Sequence, residues 1–300
     1  MSRLFGVVNV IKPPGMSSFQ VVAYTRKKLD CRKAGHTGTL DPAACGVLPV
    51  CVGRATKIIP YLDENKKEYI AEMTLGIITD TLDAEGEILE KNDNWKNITD
   101  ENIKNVFKKY KGKIEQLPPM YSAVHHNGKR LYKIARKGKK VERDPRQIEI
   151  FQMDILSITL PSIRFRVVCS KGTYIRSLAS DIGTDLNTGA HLSFLIRTKS
   201  GPFKLENGVI IENINNDKQN IIKPETVLNY PVVNITKSSE KKARHGVYLK
   251  QKDIKNNIKK YELNQKVLVL DTNNKFYSIN EITVNKKGNT ICKPLRVFVN

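Results

Sequence analysis

The chain is 300 residues long and 40 % hydrophobic, and it carries 51 lysines and arginines against 30 acids, a formal charge of +21 that exceeds what solubility asks of a surface. That length and apolar content suit one large domain plus a small one, and the charge favours a polyanionic partner. Five cysteines without C-x-x-C spacing exclude a zinc knuckle, argue against a disulfide scaffold and point to a reducing cytoplasm; no run approaches the ~20 apolar residues of a membrane helix, and the opening residues are too broken for a signal peptide.

Phe5 to Ile11 is apolar and β-branched, which predicts a first strand ended by the Pro13-Pro14-Gly15 turn. Ser17 caps the next helix, with Gln20 completing a capping box and Phe19, Val22, Ala23 and Leu29 as an inward stripe. Residues 35–53, GHTGTLDPAACGVLPVCVG, run from a glycine-rich turn through Thr39-Leu40-Asp41-Pro42 into an apolar strand. Ala55 to Leu62 reads as a short helix, and Glu68 to Leu75 as a strand leading to a Gly/Asp-rich turn and Glu87-Ile88-Leu89. Thr99 caps a helix with Ile98 and Ile103 at hydrophobic-staple spacing, and Gly112 follows its basic end.

Residues 118–147 differ in texture: adjacent prolines, paired histidines, then KRLYKIARKGKKVER, a basic hairpin or helix suited to close over a polyanionic partner. Ile148 to Ile158 and Arg164 to Cys169 alternate as strands, and Ile175, Leu178, Ala179, Ile182 and Leu186 define a buried helix face, so Tyr174 and Arg176 stand at a strand-to-helix junction. A boundary falls in the Asn/Lys/Pro-rich stretch 213–231, beyond which Lys266 to Leu270 and Leu295 to Val299 predict strands of a small β-barrel. Residues 121–146 hold nine Lys/Arg and two acids, and residues 231–300 hold fifteen and five, so these segments supply +17 of the +21. A lone lysine is usually just solvated; two dense patches favour phosphate contact with a steep salt dependence.

Asp41 is the most informative residue. Pro42 cannot donate a backbone hydrogen bond and holds the residue before it extended, so the carboxylate is fixed in direction at the mouth of an apolar strand. With no metal ligands or second acid nearby, it suits a nucleophile or base aimed at a bound substrate, the alternative being an Asx turn. Asp80 and Asp83 read as turn-formers. His125 and His126 lack the spacing and third ligand of a zinc site, and Lys171-Gly172-Thr173 lacks the upstream glycines of a phosphate loop, so neither a metal nor nucleotide hydrolysis is expected.

Six ordered motifs then carry a resemblance: Lys12-Pro13-Pro14-Gly15-Met16-Ser17-Ser18; residues 35–53; Lys67-Glu68-Tyr69; Gly76 with Thr79-Asp80-Thr81 and Asp83-Ala84-Glu85-Gly86; Pro119-Met120-Tyr121-Ser122-Ala123; and Cys169-Ser170-Lys171-Gly172-Thr173-Tyr174-Ile175-Arg176. Over about 165 residues the chain resembles the TruB family of pseudouridine synthases, departing clearly only at Ala43-Ala44-Cys45-Gly46. The resemblance implies an α+β fold with a mixed, largely antiparallel central sheet flanked by helices, and a small C-terminal PUA-like β-barrel. The catalytic domain would span 1–230 with a basic insertion at about 120–147, and the RNA-binding domain 231–300.

It also implies conversion of the T-loop uridine at tRNA position 55 to pseudouridine, by base flipping and an aspartate nucleophile, in a cytoplasmic monomer that binds the tRNA T-arm without cofactor, metal or membrane. Asp41 would be the nucleophile and Arg176 its orienting cation, whose planar fork grips a carboxylate. Tyr69 would stack on the uracil, although alternation in its strand could equally place the ring in a core; its hydroxyl is a candidate for removing the C5 proton. His36 would fill the space left by the flipped base, Tyr174 and Leu195 would line the pocket, and Lys12 and Lys57 would make phosphate or structural contacts at the rim. Two other readings stand beside this one: a guide-RNA-dependent rRNA pseudouridine synthase, and a non-catalytic tRNA-folding chaperone of the same fold.

Overall fold

The runs FGVVNVIK and CGVLPVCVG form the pair of strands around which the molecule is built. β1 (Phe5–Lys12) and β2 (Cys45–Gly53) run antiparallel, from Phe5 opposite Gly53 to Lys12 opposite Gly46. Both are buried almost without interruption, which is why their sequences are continuous rather than alternating. The computed structural model describes residues 4–298 apart from 63–65, 123, 127, 136, 140, 216 and 217. Within it a mixed sheet also takes in β3 (Lys66–Leu75), β4 (Gly112–Gln116), β5 (Arg146–Thr159), β6 (Ser162–Ser170), β7 (Ala190–Ser200) and β8 (Val209–Ile210). The order is β8-β1-β2-β7-β3-β6-β5-β4; the β1–β8 and β2–β7 pairs are parallel and the rest antiparallel. This is the mixed, largely antiparallel sheet that the resemblance implies.

Helices α1 (Ser18–Lys28), α2 (Asp100–Lys109) and α3 (Ile175–Asp185) accompany the sheet. Ser17 with Gln20 and Thr99 with Asn102 both close full capping boxes, each satisfying backbone donors that a helix start leaves orphaned. Ile175, Leu178, Ala179, Ile182 and Leu186 are all buried, as their spacing predicts. On α2, Phe107 meets Phe165 of β6 edge-on at 5.4 Å between ring centroids. α1 turns differently from the expected stripe: Ser18, Val21 and Thr25 face inward, whereas Phe19 is 77 % exposed. The reason is polar, since the Ser18 hydroxyl both donates to the Leu40 carbonyl and accepts from the Leu40 N–H, at 2.9 Å each.

The segment expected as a helix at 55–62 is a 3-10 helix, Arg54–Tyr61, and it contains Pro60, which has no N–H to continue an α-helix. The basic insertion uses both of its anticipated forms: paired strands His125–His126 and Lys129–Arg130, then a helical turn Leu131–Ala135. Leu131 is buried at its foot, while Lys129, Arg130, Lys133, Lys137 and Lys139 are exposed; Ala123, Arg136 and Lys140 lie outside the described residues.

The C-terminal segment forms its own sheet from β9 (Val232–Asn234), β10 (Lys266–Leu270), β11 (Phe276–Val284) and β12 (Thr290–Val297), in that order. The last strand starts five residues before the expected Leu295, and Val299 lies outside the described residues. Leu268, Phe276, Ile279 and Phe298 share a core with Val7, Val47 and Cys51 of β1 and β2. Phe5, Phe276 and Phe298 form an aromatic trio with centroids 5.1 to 6.1 Å apart. Phe276→Ala is therefore expected to cost about 3 kcal/mol in urea unfolding, while leaving the far-UV spectrum of the folded protein unchanged.

Candidate active site

The loop entering β2 is held from several sides. Gly15 N–H and the Lys12 ammonium both donate to the Pro42 carbonyl at 2.9 Å, Ala44 N–H donates to the Asp41 carbonyl at 3.2 Å, and Ser18 holds Leu40. Asp41 is therefore presented on a fixed main chain, with its side chain 39 % exposed at the mouth of the cleft.

Arg176, in the first turn of α3, is 5 % exposed, and its Nε lies 2.9 Å from Asp41 Oδ2. The contact is an ion pair. Nη1 donates to the Thr81 carbonyl at 2.9 Å and sits 3.4 Å from Asp83 Oδ2, and Nη2 donates to the Tyr121 carbonyl at 2.8 Å. One guanidinium thus joins the Asp41 loop, the 79–86 turn and the foot of the basic insertion. Burial pushes the Asp41 carboxyl above the usual carboxylate range; Arg176 and Lys12 draw it back, and the Asp83 charge adds to the rise.

Tyr69, on β3, is 6 % exposed and belongs to the main hydrophobic cluster, so much of its ring is core; its hydroxyl feels the charges of Arg197 and Asp41. Leu195, on β7 opposite Ala71, is buried in the same cluster. Tyr174 caps α3, clamped by Gln116, which accepts from its N–H at 2.8 Å and donates to its carbonyl at 3.0 Å. Burial raises the Tyr174 hydroxyl, with Ser122, Arg176 and Asp41 as neighbours.

His36 is half-buried, and burial together with Arg197 and Lys67 lowers its pKa, which keeps the ring neutral. Its Nδ1 and the neighbouring Thr37 hydroxyl are buried, and the Ser122 hydroxyl lies within hydrogen-bonding reach of Tyr174. Lys12 is fully buried; its ammonium donates to the Pro13 and Pro42 carbonyls, and burial brings its pKa down to about 8. It braces the loop from within and does not stand at the rim. Lys57 is exposed on the 3-10 helix and forms no ion pair with the other site residues.

Two residues escaped the sequence reading. Asp83 is a turn-former, its Oδ1 accepting from the Thr81 hydroxyl at 2.5 Å and the Glu85 N–H at 3.1 Å, but its other oxygen faces Arg176. Its place in the T-D-T-x-D run was the available signal. Arg197, at the end of the Leu195 strand, is completely buried and donates to the carbonyls of Gly38, Thr39 and Val47. Among the described residues, no group of three His, Cys, Asp or Glu side chains is arranged to hold a metal.

A mixed sheet with a solvent-reachable carboxylate paired to a buried arginine beside it fits the pseudouridine-synthase class of fold. Solved structures agree: the chain superposes with a TM-score of 0.71 on one titled "Structure of H/ACA RNP bound to a substrate RNA containing 2'-deoxyuridine", at 27 % identity over 99 % of this chain and 86 % of that one. A "Crystal Structure of a Cbf5-Nop10-Gar1 Complex" gives 0.71 at 29 % identity, over 98 % and 85 %. The family model described as "TruB family pseudouridylate synthase (N terminal domain)" matches residues 26–175, and "tRNA pseudouridylate synthase B C-terminal domain" matches 176–228. Relatives called tRNA pseudouridine synthase B include that of Clostridium tetani, 43 % identical over 97 % of this chain and 99 % of its own, and that of Francisella philomiragia, 52 % identical over 71 % and 70 %. The chain belongs to the TruB family of pseudouridine synthases.

As an attacking group Asp41 would have to be ionised. With its pKa raised, the acid limb of kcat/KM is then expected above the ordinary carboxylate range, with activity falling as pH drops through it. Removing the Asp83 charge lowers that pKa. Asp83→Asn is therefore expected to move the acid limb to lower pH, while kcat falls about tenfold as Arg176 loses one of its anchors.

Proposed function

We propose that the chain isomerises the T-loop uridine of tRNA, position 55, to pseudouridine, with Asp41 as nucleophile. The observation that carries this is the 2.9 Å contact between buried Arg176 and a carboxylate that solvent still reaches. A fixed and accessible carboxylate, once ionised, suits covalent attack on a neutral heterocycle or its sugar. The names of the bacterial relatives support tRNA as the substrate class.

The uridine is extruded from its loop into the cleft. Asp41 adds at C6 of the uracil or at C1′ of the ribose, the N1–C1′ bond breaks and the base turns. C5 then bonds to C1′, the bond to Asp41 breaks and returns the free carboxylate, the C5 proton leaves and N1 takes up a proton. Substrate and product are isomers, so no cosubstrate enters the balance. Tyr69, Tyr174 and Leu195 wall the base, and neutral His36 fills the stack it leaves. Lys57 and the exposed lysines and arginines at 129–139 meet phosphates of the T-arm, while Lys12 sets the nucleophile loop. Residues 1–230 do the chemistry and 231–300 add RNA contacts, in a monomer working in the cytoplasm. Among the described residues no helix is long and apolar enough to cross a membrane.

Purified protein incubated alone with an unmodified tRNA transcript is expected to yield pseudouridine at position 55. Asp41→Asn should yield none and still bind the transcript within about threefold of wild type. Product only after a guide RNA is added would overturn the reading. Tyr69→Phe, which keeps the ring and loses the hydroxyl, is expected to bind normally and to turn over at least about 100-fold more slowly if the oxygen handles the C5 proton; wild-type turnover would remove that role.

A further inference from the structure

A buried charge is expensive, and Arg197 is buried completely with no carboxylate in ion-pair distance among the described residues. Its register explains what that burial achieves. On β7, Arg197 stands directly opposite Tyr69 of β3 on one side and Gly46 of β2 on the other. Gly46 has φ +102°, and a Cβ there would collide with the Arg197 carbonyl oxygen, so glycine alone allows the two strands to close at this point. Arg197 is therefore wedged between the strand that carries Tyr69 and the strand that leaves Asp41.

Its guanidinium works in both directions. Nη2 donates to the Gly38 carbonyl at 3.0 Å, Nη1 to Thr39 at 3.3 Å and Nε to Val47 at 2.7 Å, which staples both ends of the loop that presents Asp41. It also lies within hydrogen-bonding reach of the Tyr69 hydroxyl. We propose that Arg197 is a positioning residue that fixes the separation between the Asp41 loop and the Tyr69 hydroxyl, and so aims that hydroxyl at the C5 edge of the uracil during isomerisation.

Arg197 and Tyr69 face each other across the strand pair, and since a guanidinium has donors and no acceptor, a bond between them would leave the Tyr69 O–H to point elsewhere. Burial pushes the Tyr69 hydroxyl up to about 12; Arg197 opposes that rise, while Cys169 and Asp41 add to it. A lysine would keep the charge but could not reach three carbonyls and a phenol together, because its ammonium is a point and not a planar fork.

The proposal rests on the reading of Asp41 and Tyr69 given above, and its test separates the two. Single-turnover isomerisation is measured on tRNA transcripts with hydrogen or deuterium at uridine C5, for wild type, Arg197→Lys, Arg197→Met and Asp41→Asn, together with tRNA affinity and thermal unfolding. Arg197→Lys is expected to bind tRNA within about threefold of wild type, to react at least about 30-fold more slowly and to show a larger C5 isotope effect than wild type. Arg197→Met should be slower still; should it fail to fold, Arg197→Lys decides alone. A mere loss of folded protein scales the rate and leaves the isotope effect untouched. Wild-type rates in Arg197→Lys, or a slowed reaction with the wild-type isotope effect, overturn the proposal. Product formed by Asp41→Asn, or none by wild type, overturns the reading of the site beneath it.

Discussion

The Arg176 guanidinium cannot reach bulk water, and the site is organised around that fact. Its charge is answered by Asp41 and Asp83, and its remaining donors by the carbonyls of Thr81 and Tyr121. Leaving a buried cation uncompensated costs several kcal/mol. A shift of the Asp41 loop or the 79–86 turn would incur part of that cost, so these segments are held to one geometry by a single side chain. The basic insertion is joined to the same hub, since Tyr121 at its foot supplies one of the four partners.

The sheet supplies the rigidity the hub needs. β2, β7 and β3 are neighbours, so Leu195 and Tyr69 stand on adjacent strands beside the one that the Asp41 loop enters, at a spacing set by main-chain hydrogen bonds. Both faces around them are closed, by α1 and the Leu40 loop in one place and by the shared aromatic core with the C-terminal sheet in another. The lysine in the first motif belongs to this scaffolding, because a buried ammonium that bonds the Pro13 and Pro42 carbonyls ties the end of β1 to the loop after Asp41.

Local, periodic features were legible in the sequence. The buried face of α3, the Ser17 capping box, the Thr99 cap and the long strands follow from patterns that one segment writes for itself. What the pattern could not reveal were contacts made across the chain. α1 presents a serine inward because its hydroxyl pairs with Leu40, 22 residues away, and an apolar stripe has no knowledge of that partner. Asp83 looks like any turn aspartate until Arg176 arrives beside it. Arg197 sits in a strand where an arginine reads as an outward-facing polar residue, and only the pairing of three strands encloses it completely. The identities at the centre of the site, Asp41 and Arg176, came from motif order and not from periodicity.

The contact between Arg176 and Asp41 has a bearing on reactivity. A carboxylate enclosed by apolar groups would hold its proton, and a cation 2.9 Å away works against that tendency. Because the guanidinium is itself enclosed while solvent still touches the carboxylate, the stabilising charge is set in place before any substrate arrives and needs no rearrangement to act.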